Sequence, residues 1–140
     1  DPYVIEYNVR MGDPESEVVI PRIQSDLLDL FIATIEGKLQ DKRMEIVKES
    51  ATTVMLVSGG YPGSYQKGYP IVGLDQEATG LVFHSGTTVH DKEVVTNGGR
   101  VLALTSLDTT WKKALKKSYK TAKGISFEGM YFRKDIGFDL

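Results

Sequence analysis

Val4-Ile5-Glu6-Tyr7-Asn8-Val9-Arg10-Met11-Gly12-Asp13-Pro14-Glu15-Ser16-Glu17 is the stretch on which the reading of this chain turns. Its opening alternates β-branched or aromatic residues with polar ones, which predicts a strand over residues 4–9. Successive strand side chains face opposite ways, so Ile5, Tyr7 and Val9 are expected in a core. Glu6, Asn8 and Arg10 then share the other face, roughly 6–7 Å apart by strand rise. A carboxylate and an amide oxygen suit Mg²⁺, a hard ion that keeps waters and bridges to phosphates. Arg10 suits a phosphate or carboxylate, which it can grip with two donors. Gly12-Asp13-Pro14 breaks the strand. Asp13 as N-cap, Pro14 at the first helical position, and Glu15 and Glu17 in the first turn predict a helix over residues 14–23, bent or ended by Pro21. The N–H groups at such a helix start can also hold an anion. Taken alone, Glu-x-Asn-x-Arg favours the plainer reading of a solvated strand face with a local ion pair.

Working outward, Ser25 is placed to cap a helix over residues 26–39. Leu27, Leu28, Leu30, Phe31, Ile35 and Leu39 form its apolar stripe, and Gly37 weakens its last turn. The polar Gln40-Asp41-Lys42-Arg43 marks a boundary between a segment 1–41 and a segment 44–140. Beyond it the pattern changes to short strands and turns. Strands are predicted over residues 44–48, 52–58, 69–72, 81–84, 87–90, 94–96 and 101–105. Hairpin tips fall at His90-Asp91-Lys92-Glu93 and Asn97-Gly98-Gly99. A last helix, capped by Asp108 or Thr109, carries Trp111, Leu115, Tyr119 and Ala122 on one face and ends at Gly124. Its other face, lysine-rich from Lys112 to Lys123, reads as solvated. The expected class is α+β, a small mixed-β structure with a covering helix.

Composition narrows the function. At a net charge of -2, no broad basic field points to nucleic acid or an anionic membrane. The chain has no cysteine, which removes disulfides, thiolate catalysis and cysteine-based zinc sites. It holds no apolar run of 18 residues, so no membrane span is expected. It opens on Asp1-Pro2-Tyr3 at the entry to a strand, which suggests a piece of a longer chain.

Four further blocks in order extend the opening stretch, making five. After Arg10-Met11-Gly12-Asp13-Pro14-Glu15 come Ser58-Gly59-Gly60-Tyr61-Pro62-Gly63, Val82-Phe83-His84-Ser85-Gly86-Thr87, Gly98-Gly99-Arg100-Val101-Leu102, and the run from Phe127 to Gly137. Together they resemble the carboxyl-terminal part of the phosphoribosylamine–glycine ligase (glycinamide ribonucleotide synthetase) family, across essentially the whole chain. Met11 departs mildly from the Phe or Leu common after the arginine. The resemblance implies that residues 1–41 close an ATP-grasp domain and that residues 44–140 form a barrel-sandwich hybrid-like domain. It implies a cytoplasmic, nucleotide-binding ligase of purine biosynthesis that joins glycine to 5-phosphoribosylamine, using ATP and Mg²⁺ (or Mn²⁺), through a glycyl phosphate. It matches Glu6 and Asn8 to metal- and cofactor-binding positions. It places Arg10, as the catalytic candidate, with Asp13, Pro14 and Glu15 on the acceptor side. The family's amino-terminal domain and its glycine-rich, lysine-bearing ATP elements have no counterpart here. The chain alone is therefore expected to be inactive without an amino-terminal part of the same protein.

Other candidates carry plainer readings. Gly59-Gly60-Tyr61-Pro62-Gly63 is either a backbone nest near a substrate phosphate or a tight turn, and the turn is favoured. Arg100 follows a glycine turn and is the best substrate-binding candidate of the second half. His84 is expected to be a structural, hydrogen-bonded histidine and His90 to be exposed. Two competing functions remain: a carrier or binding module bearing biotin or lipoate on Lys92, which lacks the usual flanking residues, and a different ATP-grasp purine enzyme.

Overall fold

Residues 101–106 are buried without a break, which marks a strand covered on both faces. It lies in the middle of a sheet. A computed structural model describes residues 2–76 and 78–139; Asp1 and Leu140, the outer limits of the two expected segments, lie outside the described residues. The strands are β1 Ser50–Val57, β2 Leu81–His84, β3 Thr87–His90, β4 Glu93–Thr96 and β5 Arg100–Asp108. The helices are α1 Ser16–Val19, α2 Leu27–Ile35 and α3 Trp111–Gly124. β5 pairs antiparallel with β1 on one side and β2 on the other, while β3 and β4 form a separate hairpin. The result is a mixed α/β unit with antiparallel sheets and a covering helix.

The core forms where β1, β5 and α3 meet. Val54, Leu56, Leu102 and Leu104 are fully buried, packed with Leu115 and Ala122 of α3. Ala114, Ser118 and Ala122, spaced by four residues, give α3 a small-residue face that can lie close on the sheet. Ser118 also donates to the Thr52 carbonyl at 3.3 Å. Thr110 caps α3, its hydroxyl accepting from the Lys113 N–H at 3.3 Å. Asp108, one of the two expected caps, instead accepts from the Thr109 N–H and pairs with Lys117. The β3–β4 tip is a two-residue turn as expected, with Asp91 and Lys92 both at positive φ.

The first forty residues depart most from expectation. No strand forms over residues 4–9: the segment pairs with nothing, and Ile5 and Val9 are 96% and 99% exposed instead of buried. A strand needs a neighbour for its backbone groups, and none of the described residues supplies one. The helix over 14–23 is reduced to α1, of 4 residues, and a 3-10 turn at Ile20–Arg22 that admits Pro21. Asp13 does not cap it; the N-cap position is Glu15, without a side-chain bond. The N–H of Ser16 is used on Gly12 O at 3.1 Å, so this start is not the free anion site expected. α2 begins one residue later than predicted because Asp26, not Ser25, caps it, accepting from Leu28 N at 2.8 Å and Asp29 N at 3.4 Å. It ends at Ile35 in a Schellman motif. Gly37, at φ 69°, donates to Thr34 O, and Lys38 N donates to Ala33 O. Only Leu30 and Ala33 of α2 are buried, so its stripe is largely unpartnered.

Two further predicted strands are reduced to bridges. Residues 44–48 touch a neighbour through Ile46 and Ile23, and residues 69–72 through Pro70–Val95 and Val72–Ser126. Among the described residues no helix is long and apolar enough to cross a membrane.

Candidate functional site

Although the strand is missing, Glu6, Asn8 and Arg10 do share a face. Asn8 Nδ2 donates to Glu6 Oε1 at 2.9 Å, and Arg10 Nη1 donates to Asn8 Oδ1 at 3.0 Å and to Met11 O at 3.1 Å. The three side chains form an exposed hydrogen-bonded row. Glu15 folds back over Gly12, its Oε2 lying 2.7 Å from where a Cβ on that glycine would stand.

A second group forms around Arg100. Its Nη1 donates to Asp13 O at 2.6 Å and lies 3.4 Å from Asp13 Oδ2. This brings the Gly12-Asp13-Pro14 turn to the start of β5, across 87 residues of sequence. A groove of about 540 Å³ opens beside it, lined by Pro14, Arg100, Tyr61, Tyr131 and Arg133, with Thr53, Met55 and Val57 from alternate positions of β1 as its floor. Arg133 grips Asp135 through two bonds of 2.9 and 3.0 Å, which raises its own pKa and holds the Asp135 carboxyl below the usual range.

The glycine turns fix Arg100 from behind. Ser58 N donates to Gly99 O and Ser58 Oγ to Gly98 O, both at 2.8 Å. A Cβ on Gly99 would run into the Tyr61 ring. The stretch 59–63 is thus a tight turn packed on its neighbour: Gly60 is at φ 94°, and Tyr61 N bonds back to Ser58 O.

Of the expected site residues, then, the structure unites Asp13, Pro14 and Arg100 at the groove, and Glu6, Asn8 and Arg10 with one another. No hydrogen bond joins the two groups among the described residues. Sequence reasoning missed Tyr61, Tyr131 and Arg133 as groove residues. The Arg133-x-Asp135 spacing was the available signal for the third. His84, at the end of β2, bonds Thr87 Oγ1 at 3.0 Å across the short turn to β3, and His90 is exposed. Among the described residues, no trio of His, Asp or Glu is arranged to hold a metal.

The chemistry at Glu6 and Asn8 is compatible with part of a Mg²⁺ shell. Each carries an oxygen of the kind Mg²⁺ takes, fewer than an octahedral ion needs, although Asn8 here turns Nδ2 to Glu6 and Oδ1 to Arg10. Arg10 stands on the Asn8 oxygen and carries the row's positive charge.

The family model for phosphoribosylglycinamide synthetase, C domain, matches residues 51–139, from β1 to the last described residue. The chain belongs to this family. Over 96% of its length it is 42% identical to the phosphoribosylamine–glycine ligase of Caldanaerobacter subterraneus. Over 98% it is 45% identical to that of Yersinia pestis. A bifunctional purine biosynthetic protein of Dictyostelium discoideum is 46% identical over 96% of the chain. The crystal structure of the phosphoribosylamine–glycine ligase from Thermotoga maritima superposes with a TM-score of 0.75 at 38% identity, covering 96% of this chain. The chain spans about a third of the two ligases, 32% and 33%, and 17% of the bifunctional protein. The resemblance carried by the five sequence blocks is therefore to the right family and the right end of it.

Proposed function

We propose that these residues form the carboxyl-terminal part of an ATP-dependent ligase joining glycine to 5-phosphoribosylamine to give glycinamide ribonucleotide. The observation that carries this reading is the match of nearly the entire chain to relatives named phosphoribosylamine–glycine ligase. Residues 1–41 would close an ATP-grasp domain, and residues 44–140 would be a hybrid-like domain beside it. The polar connection at 40–43 and the family match beginning at residue 51 support that division. The exposed apolar side chains of residues 3–9 and of α2 support a partner in an amino-terminal part of the same protein. The working compartment would be the cytoplasm.

In this reading Glu6 and Asn8 would hold Mg²⁺, which would supply positive charge against the phosphoryl group being transferred. Arg10 adds a positive charge beside it, as the catalytic candidate. Pro14 and Arg100 line the groove where the acceptor would lie, with Asp13 held to Arg100 and Glu15 next in the chain, so positioning would be their contribution. The test is product formation by the full protein that contains this chain, supplied with ATP, Mg²⁺, glycine and phosphoribosylamine. Glycinamide ribonucleotide should form, and Glu6→Gln should lower kcat by about a hundredfold. A full protein that makes no such product would refute the reading.

A further inference from the structure

We infer that Arg100 is a positioning residue, whose guanidinium registers the Gly12-Asp13-Pro14 turn against the start of β5 and so sets where the Glu6–Arg10 row stands relative to the groove. Four observations lead there. First, among the described residues, no other hydrogen bond or ion pair joins residues 2–15 to the chain beyond residue 19. Thr105 reaches the adjoining α1, but through Glu17 O at 2.8 Å, already past the turn. The polar attachment of the whole leading segment therefore rests on one side chain.

Second, the shorter contact goes to the main chain. Arg100 Nη1 lies 2.6 Å from Asp13 O and 3.4 Å from the Asp13 carboxylate. With the two side chains 38% and 56% exposed, that carboxylate contact is screened and weak. The charge-assisted bond to the carbonyl is the stronger and more directional one. Arg100 thus holds the path of the backbone more than the identity of residue 13.

Third, Arg100 is a rigid post. Its main chain pairs with Val57 in the sheet, and the preceding turn is pinned by Ser58 and blocked by Tyr61 behind Gly99. Fourth, Nη1 makes both contacts, and a guanidinium has five N–H groups. Among the described residues Nε and Nη2 have no further partner, on a residue that lines the groove. One planar group thereby ties the turn to the space beside it, and an anionic group of the acceptor in that space would be bound by the same residue that sets the turn.

The kinetic part of this inference rests on the ligase reading, and the structural part does not, so the experiment measures both in the full protein. Arg100→Ala should speed amide hydrogen exchange about tenfold at Ser16, Val18 and Val19, whose N–H groups close the turn on Gly12 and Glu15. It should lower kcat about a hundredfold, leaving the KM for ATP and the thermal midpoint unmoved. Arg100→Lys, which keeps one charged donor for Asp13 O, should restore most of both losses. Asp13→Ala, which removes only the weaker contact, should disturb exchange less than Arg100→Ala. Faster exchange in a protein that makes no glycinamide ribonucleotide would uphold the positioning role and sink the ligase reading. Unchanged exchange in Arg100→Ala would overturn the inference, whether kcat fell or only the KM for the amine rose, because Arg100 would then be a substrate contact alone.

Discussion

Helices α2 and α3 are built with equal local care and end in opposite circumstances. α2 has an Asp26 cap and a Schellman stop, and α3 has a Thr110 cap. Yet α3 buries its apolar face on β1 and β5, while Leu28, Phe31, Ile32 and Ile35 of α2 stay exposed. The same contrast divides residues 2–43 from residues 50–139 as a whole. Isoleucine, valine and tyrosine stand in solvent in the first, whereas leucine, valine and isoleucine fill the core of the second. A cap contributes about 1 kcal/mol, whereas burying one leucine-sized side chain contributes about 1.5–3 kcal/mol. Good helix ends make a helix; only a covered face holds it against the rest of the molecule.

The contrast breaks first in the core. Leu102→Ala should cost about 2–5 kcal/mol by chemical denaturation, because it leaves a cavity at a fully buried site. Ile5→Ala and Val9→Ala in this chain should change stability by less than about 0.5 kcal/mol. Equal losses at Ile5 and Leu102 would mean that the leading segment is packed after all. Gly99→Ala should cost about 1–3 kcal/mol, since the added methyl meets the Tyr61 ring. An unchanged midpoint there would show that the two glycine turns are not interlocked. Thr110→Ala and Asp26→Ala should each remove about 1 kcal/mol. The first should lower the global unfolding midpoint, and the second should raise amide exchange only within α2. A global loss from Asp26→Ala would join the two regions into one cooperative unit.

The smallest effect is a titration. Lys117, and after it the Thr109 N–H, hold the Asp108 carboxyl down at about 2, against an ordinary 3.8. Because the folded value is the lower one, ionised Asp108 favours the fold at neutral pH, and that preference is lost as pH falls below 3.8 and through about 2. Lys117→Met should return the carboxyl toward its ordinary range in an NMR titration. A value that did not move would assign the shift to the Thr109 backbone instead.

Burial follows the same line as legibility. β2 and β3 were readable to the residue, and the strands and helix around the core nearly so. Their periodicity is satisfied by partners within 140 residues. The strand over residues 4–9 was read from an equally clear alternation that finds no partner here, so pattern and structure part. The helix caps slipped by one or two residues because neighbouring Ser, Asp and Thr compete for the same N–H groups: Ser25 lost to Asp26, and Asp108 and Thr109 to Thr110. The row from Glu6 to Arg10 was legible because it is local. The Asp13–Arg100 contact joins residues 87 apart, which spacing along the sequence does not reveal.

In the proposed function these residues supply one side of a ligase site, and the nucleotide-holding side lies elsewhere in the protein. Calorimetric titration of Mg-ATP tests it most directly, first into the 140-residue chain and then into the protein extended at its amino terminus. No measurable binding by the chain alone and clear binding by the extended protein are expected. Tight Mg-ATP binding by the chain alone would contradict the proposed function.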